Sequence, residues 1–600
     1  MPLMGSIYVG TSGLQTSQNS LNTTAHNLAN MDTTGFVRQQ ALQGDRRYNT
    51  IKYASFATAA QQVGLGVTYS KVRQVRDYFL DESYRRESGR STFYDSQYNA
   101  MTEVEDLLDE LNDDASFNQS MTNFWSTLQE LAKTPDDTVV QRMLIQNASS
   151  FLTNAKQVYQ GLVDYQNEVN IKVREEVEKI NALGDKIFDL NNKIRAIEVG
   201  GVETANDFRD ARNQALDELA NLANIEFDED VYGSVSVRVE GVDFLAAGNV
   251  FKMNVVQDAQ TGYYIPYWEI FATTAKSEDG INTFRDGETI VDITRARVFD
   301  TTETISTETN RDVGKLRALL YIRGDKVANY TDIPVKPTIP SLTDYGNDPV
   351  LYGQAVREYE DKLEKYEQDV AYYNQTISQS VCMNTEAEFD QLIHNVVTAV
   401  NSVLAQAADT TTGYMCERDA DGNYYPIQIF QKIASDGYTF DDATGEYVFE
   451  EEITDNPKRT DTLYSIPNLT INPALLREAG KMRFYFDDNT VDYETAKKLI
   501  EAFDKDLYVL NPNVTTTCSL NTYYSNLVSQ IANSGAVYKN ISESQQVTIN
   551  SIDHAREQII GVSSDEELSN MIRFQNAYNA SSRYINVVNE MLEHLLTSLG

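Results

Sequence analysis

Positive charge is what this 600-residue chain most conspicuously lacks. Its 50 Lys and Arg stand against 89 Asp and Glu, a formal net charge of −39. Nucleic acids and anionic membrane surfaces are held by cationic faces, so this balance argues against both as partners. Cysteine is equally scarce. Cys382, Cys416 and Cys518 lie far apart, which excludes a disulfide framework and any metal-ligand spacing. With 12 Pro and 30 Gly the chain is neither collagen-like nor a low-complexity linker. No apolar run approaches the ~20 residues that a bilayer span needs, so membrane insertion is not expected. Met1 to Gly35 has neither the basic n-region nor the apolar h-region of a cleavable secretory signal.

Catalytic constellations are absent in the same way. His26, His394, His554 and His594 form no HExxH or other local ligand pair, and no G-x-S-x-G elbow occurs. Gly64-Leu-Gly66 lacks the third glycine of a dinucleotide loop. Asp419-Ala-Asp421-Gly-Asn423 has its glycine at the fourth loop position, and Phe430 stands where a calcium loop needs a bidentate Glu, so it reads as a turn. No enzyme activity, metal or cofactor is expected.

What the chain does have is helical periodicity at both ends. Ile7, Leu14, Leu21 and Leu28 recur every seven residues, with Gly10, Ser17 and Thr24 between them. At the other end Met571, Phe574, Tyr578, Ser581, Ile585, Val588, Leu592, Leu595 and Leu599 alternate spacings of three and four, the seam of helices packed along their length. The flanks are amides and hydroxyls, including Gln15, Gln18, Asn22, Asn27, Asn579 and Asn589, and no charged side chain occurs from Leu3 to Ala29. Such side chains can be buried through hydrogen bonds at a lower desolvation cost than a charge. A helix meant for neighbours on several sides has this composition.

Between the ends, helical patterns run over about 90–131, 137–198 and 207–224. The second carries Ile180, Leu183, Ile187, Leu190, Ile194 and Ile197 on one face. From Val231 to about Phe299 the period changes to two. Pro334, Pro337, Pro340 and Pro349 then mark a segment that cannot be helical throughout. It leads into the heptads of Val356, Tyr359, Leu363, Tyr366, Val370 and Tyr373. A helix over 386–406, an acidic β-rich stretch over about 410–511, and helices from Tyr523 complete the chain. The order of helix, rod, β, β, rod, helix places the two termini together. The expected fold class is mainly α with inserted β domains, multidomain.

Particular stretches resemble the bacterial flagellar rod, hook and hook-associated protein family. Thr11-Ser-Gly-Leu14 followed by Asn27-Leu-Ala29-Asn30-Met-Asp-Thr33-Thr-Gly35-Phe36 is similar to that family's N-terminal signature. Val63-Gly-Leu-Gly-Val67 with Arg76-Asp-Tyr-Phe-Leu80 is similar to its next block. Asn206-Asp207-Phe-Arg-Asp210-Ala-Arg212-Asn213, with Leu216-Asp-Glu-Leu219 and Gly233-Ser-Val-Ser-Val237, resembles the end-of-rod segment of the hook-associated branch and discriminates best. Gly561 to Leu568 and Phe574 to Arg583 resemble the shared C-terminal helix.

The resemblance implies a structural subunit at the hook–filament junction, required for filament assembly. It implies export by the flagellar type III pathway without a cleaved signal, and an extracellular place on the flagellum. Implied partners are copies of itself, the flagellar hook protein, a second hook–filament junction protein and a cytoplasmic flagellar export chaperone. The implied division is an inner coiled-coil domain from 1–62 and 559–600, and a helical rod domain from 63–230, 383–408 and 516–558. To these are added a β-rich domain over 231–332, a Pro-bounded helical insertion over 333–382 and an acidic outer β-rich domain over 409–515.

Overall fold

The structure, a computed structural model, describes residues 3–599 except 47, 54–59, 109–116, 202, 277–281, 287–288, 347, 420, 436, 442–445, 455–458 and 487. The chain is mainly helical, with small antiparallel sheets inserted between helices.

Helix α1 (Leu3–Ala29) opens the chain. Strands β1 (Gln39–Asp45), β2 (Asn49–Tyr53), β3 (Ala60–Val63) and β4 (Val67–Gln74) follow as an antiparallel ribbon, β1 pairing with β4 and β2 with β3. The rod is then built from α2 (Tyr78–Leu108), α3 (Phe117–Leu131), α4 (Thr138–Glu198) and α5 (Asn206–Leu222). Strands β5 (Ile225–Glu229), β6 (Val235–Val239), β7 (Val242–Ala246) and β8 (Asn249–Val250) form a four-stranded sheet, and β9 (Met253–Gln257) pairs with β10 (Tyr264–Trp268). The remaining helices are α6 (Lys315–Arg323), α7 (Pro349–Thr376), α8 (Val381–Ala407), α9 (Pro473–Arg477), α10 (Tyr493–Asp504), α11 (Leu520–Ile560) and α12 (Ser564–Leu599).

Helix α4 is the spine. Its 61 residues span about 90 Å at 1.5 Å each. It starts where Asp137, just past Pro135, accepts a 2.8 Å hydrogen bond from the Val139 amide. One apolar face then runs its length, burying Leu144, Phe151, Leu162, Val173, Ile180, Ile187 and Ile194. Much of the rod packs on that face or its flanks and builds the main hydrophobic core, beside a smaller cluster of Phe93, Tyr94, Ala318 and Tyr321 against which α11 sets Tyr538 and Ile541.

The structure differs from the sequence expectation at several places. Helix α2 begins at Tyr78, well before residue 90, because its first turns bury charged side chains (Asp81, Arg85, Glu87, Arg90) in ion pairs and show no apolar period. The expected β-rich domain over 231–332 contains α6, and its interior is divided: Val256, Tyr267, Ile293 and Ala296 form a small cluster of their own, while the four-stranded sheet packs on the rod. Phe244 and Trp268 belong to the same apolar cluster as Ile180 and Ile187 of α4. Gly184 of α4 leaves the room that Phe244 fills, since a Cβ there would sit 2.3 Å from that ring. The acidic stretch over 409–515 shares the core too, and includes α10. Phe430 and Phe503 each lie 5.9 Å from Phe124 of α3.

The 333–382 segment is a finger. Pro334, Pro337 and Pro340 are half-buried while the residues between them are exposed, a period of three that fits a polyproline II strand. Helix α7 returns with Tyr352, Tyr359 and Tyr366 half-exposed on one stripe, and first meets the rod at the buried Tyr373.

Candidate assembly interface

Helices α1 and α12 pack along their length, and what they bury between them is small. Gly10 faces Ile585, and a Cβ at Gly10 would lie 2.6 Å from Ile585 Cγ1. Gly13 faces Ser581, with a Cβ 2.7 Å from its Oγ. Only residues without bulk allow helix axes this close. Ser6, Ser12, Thr16, Ser17, Ser20, Thr23, Thr24 and Asn27 are the buried side chains of α1 among the described residues.

A second face of α1 carries the ribbon through polar contacts. Ser12 Oγ accepts from the Val67 amide at 3.2 Å, and Gln43 Nε2 donates to Ser20 Oγ at 3.0 Å. Asn27 closes a pair with Gln39: its Nδ2 donates to the Gln39 carbonyl at 2.8 Å, and its Oδ1 accepts from the Gln39 amide at 3.0 Å. Gly66, at φ +91°, presses on the helix so closely that a Cβ would lie 3.1 Å from Val9 Cα. The third face, Tyr8, Thr11, Gln15, Gln18 and Asn22, is exposed. The absence of charge in α1 follows from the first two faces, each of which buries polar side chains where a charge would be left unpaired.

The expected seam residues fall as follows. Ile7, Leu14, Leu21 and Leu28 are half-buried, flanking the contact, and the intervening Gly10, Ser17 and Thr24 lie within it. On α12, Val588 is buried, while Met571, Phe574, Tyr578, Ile585 and Leu592 are half-buried. Leu595 is 43% exposed, and the side chain of Leu599 lies outside the described residues. Leu568, Ile572, Val587, Met591 and Leu596 of α12 are exposed as well, on more than one side of the helix.

The motif after α1 works as a helix stop and anchor. The Asn30 amide closes the last turn on His26 O at 3.1 Å, and Asn30 Oδ1 accepts from Thr33 Oγ1 at 3.3 Å. Ala29 is exposed, and Gly35 takes φ +80°. Phe36 sets its ring edge-on to His26 at 5.4 Å. The chain is thereby turned back along α1 and delivered to the ribbon.

The joint to the rod is ionic. Arg38 reaches Glu566 and Glu567 at the start of α12, both at 2.9 Å, and its amide donates to Ile560 O at 2.8 Å. Asp81 accepts from Arg76 and stands in an ion pair with Arg556, each at 2.8 Å, and Asp217 accepts from Arg85 at 2.7 Å and Arg556 at 2.8 Å. These pairs bind the ends of the ribbon, α2, α5 and α11 into one knot.

The end-of-rod motif supplies the rest of this joint. Asp210 accepts from Gln74 Nε2 at 2.7 Å and from the Val37 amide at 3.4 Å. Burial pushes its carboxyl up to about 7, against the pull of those hydrogen bonds and of Arg76. Asp207 stands 4.0 Å from His26. Arg212 turns the other way. It is buried beneath the sheet, bonded to Gly233 O at 2.5 Å, Asn191 Oδ1 at 3.0 Å and Glu229 at 2.8 Å, and desolvation lowers it to about 10. Asn206 lines clefts of about 450 and 330 Å³ between ribbon and α5, and its Oδ1 is buried without a hydrogen-bond partner. Polar contacts with clefts between them join the module to the rod in place of a packed core.

Sequence reasoning missed two features of this site. Asn27 was visible only as one amide among many, since its pairing with Gln39 depends on the chain reversal. The local charge was hidden by the total. Residues 1–76 carry Arg38, Arg46, Arg47, Lys52, Lys71, Arg73 and Arg76 against Asp32 and Asp45, so this segment is net +5 and the remainder −44. A sliding charge count would have found it.

Comparison with known proteins gives matches at both ends and in the middle. Residues 7–36 match the model for "Flagella basal body rod protein", 101–332 match "Flagellar hook-associated protein FlgK helical domain", and 559–598 match "Flagellar basal body rod FlgEFG protein C-terminal". Over 98% of its length the chain is similar to flagellar hook-associated protein 1 of Bacillus subtilis, at 21% identity and 96% of that protein. It is similar over the same share to flagellar hook-associated protein 1 of Escherichia coli, at 24% identity and 98% of that protein. A solved structure of the flagellar hook junction protein FlgK from Burkholderia pseudomallei aligns with 80% of this chain and 100% of its own. Its TM-score is 0.48, at 12% identity.

Proposed function

We propose that this chain, which belongs to the flagellar hook-associated protein family, works as the structural subunit that joins hook to filament. It is a structural protein of the bacterial flagellum. Its proposed partners are further copies of itself, the hook protein on one side and a second hook–filament junction protein on the other. Export through the flagellar type III pathway, and an extracellular place at the junction, belong to the same proposal.

The observation that carries the assembly reading is the state of α1. Two of its faces are covered within the chain by contacts that need small uncharged residues. The third face is equally uncharged and open. A helix exposed to water for its whole working life gains from Lys and Glu on its outer side, and this one has none. Neighbouring copies packed around the terminal pair supply the missing cover. The exposed apolar side chains of α12, Leu595 among them, suit the same role, and before export they suit the groove of a helical chaperone.

Locating labelled protein on intact flagella tests the reading. A band between hook and filament is expected. Label along the hook, along the rod or off the flagellum altogether would overturn it.

A further inference from the structure

Two apolar patches of opposite charge stand exposed on this molecule. The first is the tip of the finger, where Leu342, Tyr345, Val350 and Leu351 are all exposed. Asp344 and Asp348 lie among them, exposed and in no ion pair among the described residues, and no cation occurs from 342 to 351. The backbone aims both carboxylates. Asp344 accepts from the Ser341 amide at 3.3 Å, and Asp348 from the Val350 amide at 2.8 Å. The root of the finger is fixed. Tyr373 and Ile377 are buried with Ile333 and Met383, and the Tyr373 hydroxyl donates to Asn384 Oδ1 at 2.5 Å. From that root α7 carries the tip about 36 Å, at 1.5 Å per residue back to Pro349.

The second patch lies where the acidic outer stretch meets the start of α4. A Cβ at Gly480 would sit 3.6 Å from Cγ2 of Thr138, the first residue of that helix. Leu476, Tyr485 and Phe486 are exposed here. Arg477, Lys481 and Arg483 are exposed with them, in no ion pair among the described residues. Residues 473–486 thus carry three cations against Glu478, net +2 in a chain of net −39. Phe486 stacks on Tyr414 at 4.8 Å, and a bridge from Tyr485 to Val491 holds the turn.

We propose that the finger tip of one copy docks on the basic, aromatic patch of the copy beside it. The inference rests on the self-assembly reading above and deepens it by naming a pair of outer surfaces. Apolar side chains on one patch meet apolar side chains on the other, and two carboxylates meet three cations. A second copy is the occupant for two reasons. The fixed root holds the tip off the chain's own patch, so both stay exposed within one copy. A neighbour of the same net charge is repelled over most of its surface, and approach is guided where the sign reverses. A contact between two different surfaces closes into a ring when the rotation between copies divides a full turn. Such a ring keeps both of its ends open for the other proposed partners. Six side chains on each surface are far fewer than the roughly 20–30 residues a side of a standard interface, so the contact is weak alone. Once the terminal helices hold the copies together, it closes at high effective concentration and braces a ring already formed.

The test is a disulfide between the two surfaces, in the full chain expressed in cells that lack the native copy. A Val350→Cys, Tyr485→Cys variant, oxidised on assembled flagella, should give a ladder of linked chains. Neither single variant should, nor should the unaltered chain, whose Cys382, Cys416 and Cys518 are buried or half-buried. Adding Asp344→Asn with Asp348→Asn removes the charge but keeps the caps, because Asn caps a helix as Asp does. It should lower the ladder yield at least fivefold, and so should Arg477→Glu with Arg483→Glu. Cells whose chain lacks residues 344–371 should carry filaments in normal number and shed them at least twice as readily under shear. No ladder from the double variant, while labelled wild-type protein sits at the junction, overturns the proposal. So does a link within one chain, seen as a monomer of altered mobility, because the tip would then meet its own patch. Absence of the label from flagella overturns the junction reading, and this contact with it.

Discussion

The rod and the terminal module are both helical, yet they are held together by opposite means. In the rod the interior is apolar and aromatic. Phe124 and Phe151 stack at 5.6 Å, and Phe430 and Phe503 close over them at 5.9 Å. In the module of α1, ribbon and α12, Val37 and Val588 are the buried hydrophobics among the described residues, and the rest of the buried set is Ser, Thr, Gly, Asn and the ion-paired Glu567. A buried apolar side chain contributes about 1.5–3 kcal/mol, whereas ordering a backbone costs about 1–2 kcal/mol per residue. Two such side chains cannot hold two long helices. The rod is stable by its own core, and the module depends on being tied to it. Burial without hydrophobicity is the sign of an interface that one chain leaves incomplete.

The largest expected effect tests the rod's side of this contrast. Phe151→Ala should cost about 3–5 kcal/mol in urea unfolding of the purified chain, because its cavity opens among the rings of Phe117, Phe124 and Phe430. A loss below about 1 kcal/mol would mean that the core is not continuous. Gly10→Leu should do the reverse. Its side chain would have to enter the space of Ile585, so α1 and α12 should separate, motility should fail, and protease should clip the ends faster. The rod's urea midpoint should stay within experimental error. If that midpoint fell as far as for Phe151→Ala, the two regions would be one unit.

Leu592→Asp with Leu595→Asp should weaken binding of the proposed export chaperone more than tenfold by calorimetric titration, and block the proposed junction assembly. The magnitude follows from losing two apolar contacts. Unchanged affinity would place the chaperone elsewhere and leave this row to assembly alone.

A smaller effect comes from buried carboxyls. Burial pushes Glu388 and Asp390 of α8 up to about 7, as it does Asp210 at the joint. The folded chain therefore holds these protons more tightly than the unfolded one, whose carboxyls titrate near pH 4. Their contribution to stability is fullest below about pH 4 and falls as pH rises toward 7. The urea midpoint should thus be higher at pH 5.5 than at pH 8, and Glu388→Gln should flatten that slope. A midpoint that rises between pH 5.5 and 8 would contradict it. Smallest of all, deleting residues 344–371 should leave the rod's midpoint and motility unchanged, since α7 stands clear of the core until Tyr373. Loss of filaments with normal export would show that the finger belongs to the assembly.

Legibility in the sequence followed the same division. Helix α4 could be read directly, because Ile180, Ile187, Leu190 and Ile194 are buried at the period they display. The start of α2 could not, because a helix that buries Arg85 and Arg90 against Asp217 and Asp312 has no apolar stripe to display. Helix α10, with Leu499 and Phe503 buried, was hidden in a stretch whose surrounding alternation reads as β. At the terminal module the heptad period was visible at both ends, but hydrophobicity singled out the wrong half of it. Leu14 and Leu21 flank a contact whose centre is Gly10, Ser17 and Thr24, because backbones that approach this closely exclude large side chains. The pairing of Asn27 with Gln39, and the ion pairs of Arg38 and Arg556, join residues that only the fold brings together.

The pairing of α1 with α12 joins residues more than 550 positions apart, such as Gly10 and Ile585. In an unfolded chain that contact closes a very long loop, and non-local closure of this kind is slow. Once the rod has formed, the open lengths shrink to the ribbon on one side and the turn at Gly561 on the other. Closure then becomes a local event between two tethered helices. Opening is local as well, and requires only the release of small polar contacts. The last contact to form in the monomer is therefore the first that can be undone, and the two terminal helices can part and re-pair while the rod stays folded.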